Sequence, residues 1–126
     1  MDIEQRTYIR FSVQDNAFAA LRPGFIKLGR VNDISNKGLA FSYLMDSPNA
    51  SSDRDYSKVD IFLSDNGLHL HKMPCKIVYD IQRPKYKKDN SIKFYRCGLQ
   101  FGKLSKSQSE LLELFLENYT TEPLLS

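Results

Sequence analysis

From residue 25 to residue 101 the chain repeats one device: a short run of alternating apolar and polar residues, closed by a turn signal. Alternation with period 2 sends successive side chains to opposite faces of a strand. Leu39, Phe41 and Tyr43 fall on one face. Val59, Ile61 and Leu63 fall on another, with Asp60 and Ser64 between or beyond them. Leu68 and Leu70 alternate with His69 and His71, and after Met73-Pro74 come Cys75, Ile77, Tyr79 and Ile81. The last stripe is Tyr95, Cys97, Leu99 and Phe101. Asp65-Asn66-Gly67 is a strong hairpin signal, because Asn-Gly accepts the left-handed conformations of a tight turn. Five to seven short strands at this spacing predict an all-β fold, a small antiparallel barrel or sandwich. Closing the sheet removes its exposed edges, which favours the barrel.

The flanks are less regular. Phe11 to Leu21 mixes apolar and polar residues without a helical stripe and stops at the turn Arg22-Pro23-Gly24. Phe25 to Ile34 reads as a strand whose alternation slips at Gly29, where a bulge is expected. Ser35-Asn36-Lys37-Gly38 supplies the next turn, with Gly38 available for a positive φ. The polar stretch from Asp46 to Ser57 reads as a mobile loop, and Arg83 to Ser91 as a charged hairpin tip. After residue 103 the period becomes helical: Leu111 with Phe115, and Leu112 with Leu116 and Tyr119. Ser107 and Glu110 suit a capping box, and Pro123 ends any continuation, so a helix is expected over 104–120.

The chain has 126 residues, enough for one domain and too few for two ordinary ones. Eight Phe and seven Tyr supply core mass without Trp. No apolar run reaches the roughly 18 residues that span a bilayer, and the charged N-terminus lacks the apolar stretch of a signal peptide. A cytoplasmic protein with no membrane insertion is therefore expected. Cys75 and Cys97 form no C-x-x-C pair and read as free thiols buried in strands. A net charge of +3 is mild for a general nucleic-acid binder, so none is expected as a partner. It suits a small anionic ligand equally well.

Two segments carry the candidate chemistry: Arg6-Thr7-Tyr8-Ile9-Arg10 and Asp33-Ile34-Ser35-Asn36-Lys37-Gly38. Residues 6 and 10 project to the same side in either a helix or a strand, and Thr7, Tyr8 and Ile9 favour the strand. A guanidinium can fork onto phosphate, donate to guanine O6 and N7, or stack on a purine. A carboxylate such as Asp33 can accept from guanine N1 and N2 together. Ser35 can hold the turn by bonding nearby backbone while Asp33 points outward, and Gly38 lets a ligand ring approach bare backbone. Together they point to an anionic, guanine-bearing ligand.

The R-x-x-x-R pair of Arg6 and Arg10, followed by the D-x-S-x-x-G of Asp33, Ser35 and Gly38, resembles the PilZ domain. That family is a bacterial receptor for the second messenger cyclic di-GMP. Arg96-Cys97-Gly98-Leu99-Gln100-Phe101 and the helix after it are similar to the family's last strand and tail. The resemblance covers nearly the whole chain, read as one domain over 1–126, and implies a six-stranded antiparallel β-barrel with a C-terminal α-helix packed on it. It also implies that Arg6 and Arg10 lie on a flexible arm, residues 1–12, which wraps cyclic di-GMP and becomes ordered. Asp33 and Ser35 would read the base edge, and the ordered arm would signal to a downstream protein partner. In the family a further Arg just before the first motif Arg favours two intercalated ligands. Here that position is Gln5, which implies one ligand per chain, although Lys27, Arg30 or Lys37 could reach a second.

Other features read plainly. His69 and His71 share a strand face, but the sequence shows no third ligand beside them, so they are expected to face solvent and no metal site is expected. Arg83, Lys85, Lys87 and Lys88 read as a solvated hairpin tip. No nucleophile elbow, Walker phosphate loop, H-E-x-x-H or suggestive carboxylate pair is present, which argues against an enzyme and against a cofactor. The rival readings are a PilZ-like protein–protein adaptor with weak or no nucleotide binding, and a small oligonucleotide-binding barrel. The second expects aromatics beside basic residues on an open strand face, whereas most aromatics here fall on the core face.

Overall fold

The structure, a computed structural model, describes residues 11–13, 16–22, 27–45, 57–64, 67–83, 93–118 and 120–123. Its elements in chain order are β1 (Phe11–Val13), β2 (Ala17–Arg22), β3 (Leu28–Ile34), β4 (Gly38–Met45), β5 (Lys58–Leu63), β6 (His69–Arg83), β7 (Lys93–Phe101), α1 (Lys106–Asn118) and β8 (Thr120–Pro123). Six strands run β2-β5-β6-β7-β4-β3, all antiparallel, and β3 returns to β2 to close the barrel. Gly29 sits at the closure, paired with Ala19 on one side and Tyr43 on the other. A Cβ there would lie 1.7 Å from the Ser42 carbonyl oxygen, so only glycine fits between the two neighbours.

The inward stripes read from the sequence form the core. Leu39, Phe41 and Tyr43 of β4 and Val59, Ile61 and Leu63 of β5 are buried, with Cys97, Leu99 and Phe101 of β7. Helix α1 adds Leu112 and Phe115 to the same cluster, with Leu111 and Leu116 half-buried beside them. Each such large side chain contributes about 1.5–3 kcal/mol on burial. Near Lys27, Tyr43 stacks on Tyr95 at 5.2 Å and donates its hydroxyl to Asp80 at 2.7 Å; Lys27 pairs with the same carboxylate. Burial, reinforced by the Asp80 carboxylate, pushes the Tyr43 phenol well above its ordinary range. It is therefore a neutral donor at any physiological pH.

Several expectations need correction. The slip in β3 lies at Asn32, between the pairs Val31–Phe41 and Asp33–Ala40, and not at Gly29. Among the described residues only Gly67 and Lys72 have positive φ, so Gly38 is needed for another reason, given below. The stripe of β6 breaks at Val78, where a bulge turns Tyr79 opposite Gly98 and brings Asp80 opposite buried Cys97; Ile81 is exposed. The capping box is Ser105 with Gln108, two residues before the expected pair. The Gln108 amide donates to Ser105 Oγ at 3.1 Å, and the Ser105 amide to Gln108 Oε1 at 2.9 Å. Starting the helix there lets the Gln108 side-chain amide reach the His71 and Lys72 carbonyls of β6.

After the helix the chain forms β8, an unexpected strand, which pairs with β1. The Asp65-Asn66 turn residues, most of the 46–57 loop, and Lys85, Tyr86, Lys87 and Lys88 lie outside the described residues. Both cysteines are buried and unpaired, as the sequence suggested. Among the described residues no helix is long and apolar enough to cross a membrane.

Candidate ligand groove

The turn from Asp33 to Gly38 is held from within. The Ser35 amide donates to the Gly38 carbonyl at 2.8 Å, and Ser35 Oγ accepts from the Lys37 amide at 3.0 Å. The Lys37 carbonyl accepts from the Phe101 amide at 2.8 Å, which ties the turn to β7. Gly38 lies so close to β7 that a Cβ would meet the Leu99 carbonyl oxygen at 2.0 Å. Its glycine is required by proximity to backbone rather than by φ.

Two bulges converge on Arg96. In a regular strand Asn32 and Asp33 would point to opposite faces. The bulge at Asn32 lets both reach one guanidinium: Arg96 Nη1 donates to Asn32 Oδ1 at 3.1 Å and Nη2 to Asp33 Oδ2 at 3.1 Å. The bulge at Val78 brings Tyr79 to the same group, where its hydroxyl accepts from Arg96 Nε at 3.2 Å. Ser42 Oγ donates to Asn32 Oδ1 at 2.9 Å. Bulges that re-aim side chains in this way recur beside functional sites.

In front of this network lies a groove of about 500 Å³ lined by Asp33, Ser35, Lys37, Gly38, Tyr79 and Gly98, among others. That volume is in the range of small-molecule sites. The structure thus brings Asp33, Ser35 and Gly38 to one groove. Asp33 does not simply point outward: it is buried and bonded to Arg96 while still lining the groove. Arg6 and Arg10 lie outside the described residues. Sequence reasoning did not single out Asn32, Tyr79 and Arg96 as site residues. Arg96-Cys97-Gly98 was visible as a segment, but nothing in it announces a partner 63 positions away.

His69 and His71 are exposed, as expected, yet a third donor stands between them. Asp60 of β5 is buried, with Oδ2 2.9 Å from His69 Nε2 and 3.3 Å from His71 Nδ1. Burial alone would raise its carboxyl, but the Lys72 amide, the two histidines and Arg22 outweigh that and hold it below the usual value.

The family comparison agrees with this small closed barrel. The PilZ domain matches residues 4–118, and the chain belongs to the PilZ domain family. Among solved structures, the fold is similar to the PilZ domain of YcgR from Escherichia coli with c-di-GMP. That likeness has a TM-score of 0.61 and 14% identity, covering 90% of this chain and 91% of that one. It is also similar to MrkH, described as a c-di-GMP-dependent transcription regulatory factor, with a TM-score of 0.62 and 17% identity over 90% of this chain. The apo structure of MrkH from K. pneumonia gives 0.59 and 17% over 87%. This chain spans about half of each MrkH chain. No curated protein matches it in sequence.

Proposed function

We propose that this chain is a cyclic di-GMP receptor in which Arg6 and Arg10 grip the ligand and Asp33, Ser35 and Gly38 read it from the barrel. The observation that carries this reading is a strand register. Ser12 of β1 pairs with Asp33, and Phe11 with Ile34. Arg10 is joined to Phe11, and consecutive Cα atoms are about 3.8 Å apart, which supports bringing the arginine motif to the Asp33 turn although the two are distant in sequence. The groove beside Asp33, and cyclic di-GMP on the YcgR PilZ domain, support the same ligand. Arg96 fixes the Asp33 carboxylate so that an oxygen edge faces a fixed direction, which favours a donor pair such as guanine N1 and N2.

Binding would order the residues before β1 and signal to a partner protein, an order–disorder device that needs a differential affinity of only a few kcal/mol. Gln5 in place of a third arginine favours one ligand per chain, since a second molecule brings phosphates with no added guanidinium. Calorimetry with cyclic di-GMP, with cyclic di-AMP and GTP as controls, tests the reading. Expected is micromolar or tighter binding of cyclic di-GMP near one per chain, with cyclic di-AMP weaker by roughly ten- to a hundredfold. No binding of cyclic di-GMP would favour the adaptor reading, and equal affinities would remove Asp33 as base reader.

A further inference from the structure

The geometry points to a divalent transition-metal site, of the kind zinc occupies, built from Asp60, His69 and His71. One ligand atom from each of the three lies within 4.8 Å of the others. Tetrahedral zinc with bonds near 2.0–2.1 Å sets its donors about 3.3 Å apart. The separations from Asp60 Oδ2, 2.9 Å to His69 Nε2 and 3.3 Å to His71 Nδ1, bracket that value. The two rings meet edge to face at 4.9 Å, so small side-chain rotations would aim both nitrogens at one point.

The backbone prepares the carboxylate. Between the pairs Val59–Met73 and Ile61–Leu70, β6 carries an extra residue opposite Asp60. Lys72 of that bulge has φ 51°, a left-handed conformation that is unfavourable for a lysine, and its amide donates to Asp60 Oδ1 at 2.9 Å. One carboxylate oxygen is thus oriented by backbone and the other turned to the histidines, the arrangement an outer shell gives a metal ligand. Asp60 is almost wholly buried, whereas the His69 and His71 side chains are 45% and 56% exposed. An ion can therefore enter from solvent and keep water in an open position. Arg22 Nη1 lies 3.4 Å from the same oxygen and opposes a cation, which weakens the site. Imidazole with one carboxylate suits zinc, nickel and copper and does not suit magnesium or calcium. The buried cysteines do not compete, because burial keeps both protonated.

Calorimetry of the full chain with Zn²⁺, in chelator-free buffer and without nucleotide, tests the site independently of the receptor reading. Expected is one site of micromolar affinity, with visible d–d absorption when Co²⁺ is used instead. His69→Ala with His71→Ala changes only exposed positions, so circular dichroism should match the unaltered protein. Loss of an outer-shell group already costs about 10–100-fold in metal affinity, so this double variant should lose at least about a hundredfold. Asp60→Asn keeps a carbonyl acceptor for the Lys72 amide and should lose about tenfold or more. No Zn²⁺ binding by the unaltered protein, or binding by the double variant as tight as before, overturns the site. Unchanged affinity in Asp60→Asn overturns the role of the carboxylate.

Discussion

The ring of Tyr79 lies on bare backbone at Gly98, so close that a Cβ there would meet its Cε2 at 2.2 Å. That seat holds the Tyr79 hydroxyl where Arg96 Nε can donate to it. Gly98→Ala should push the ring aside, destabilise by about 1–3 kcal/mol and weaken cyclic di-GMP binding. A double-mutant cycle checks the cause: in a Tyr79→Ala background the same substitution should cost far less. Equal costs in both backgrounds would place the strain elsewhere.

Gly38→Ala should be worse tolerated than Gly98→Ala. The obstacle at Gly38 is the Leu99 carbonyl oxygen, at 2.0 Å, and backbone cannot swing away as a ring can. Relieving that contact means parting β4 from β7 next to the motif turn. Chemical denaturation of the two variants side by side would show the order.

Arg96→Ala should cost about 1.5–3 kcal/mol, because it removes donors to the Asp33 carboxylate, Asn32 and Tyr79 together. Arg96→Lys should recover little, since one ammonium cannot span the three acceptors as a planar fork does. Urea melts measure the loss, and calorimetry should show weaker cyclic di-GMP binding even where the fold survives. Full recovery by lysine would mean that charge alone matters at this position.

Arg10→Ala should weaken cyclic di-GMP at least tenfold, the equivalent of one charge-assisted bond of roughly 1.5–3 kcal/mol. Thermal melting without ligand should scarcely change. A sharp fall in melting temperature would make Arg10 a structural residue and set aside its role as a clamp.

Both thiols should resist alkylation in the native state. Burial pushes Cys75 and Cys97 from about 9 up to about 12, so at pH 8 scarcely any thiolate exists. Reaction with a disulfide reagent should be slow until urea unfolds the chain. The linkage has a definite sign. Between pH 9 and 12 the unfolded chain loses these protons and the folded one keeps them, so stability should fall as pH rises through that window. Rapid labelling of either cysteine at pH 8 in native protein would contradict its burial.

The barrel was legible because period 2 is a strong signal wherever one face is buried. Leu39-Phe41-Tyr43 and Val59-Ile61-Leu63 could lie only one way. The motif turn was legible too, as Asp33, Ser35 and Gly38 are close in sequence. The bulges were not, because an added residue at Asn32, Lys72 or Val78 changes no residue type and shows only in the register of a partner strand. For the same reason the bonds of Arg96 to Asn32 and Asp33, and of Asp60 to His69 and His71, stayed hidden. Strand β8 escaped notice because Thr120-Thr121-Glu122-Pro123 offers no apolar stripe, and its pairing with β1 shows only in the fold.

That last pairing has a mechanical consequence. Strand β1 lies between β3 and β8, with Ser12 facing Asp33 on one side and Val13 facing Thr120 on the other. Strand β1 is thereby held by backbone pairing along both of its edges, to the motif strand and to the segment after the helix. The segment following the helix thus shares one sheet with the strand that carries Asp33.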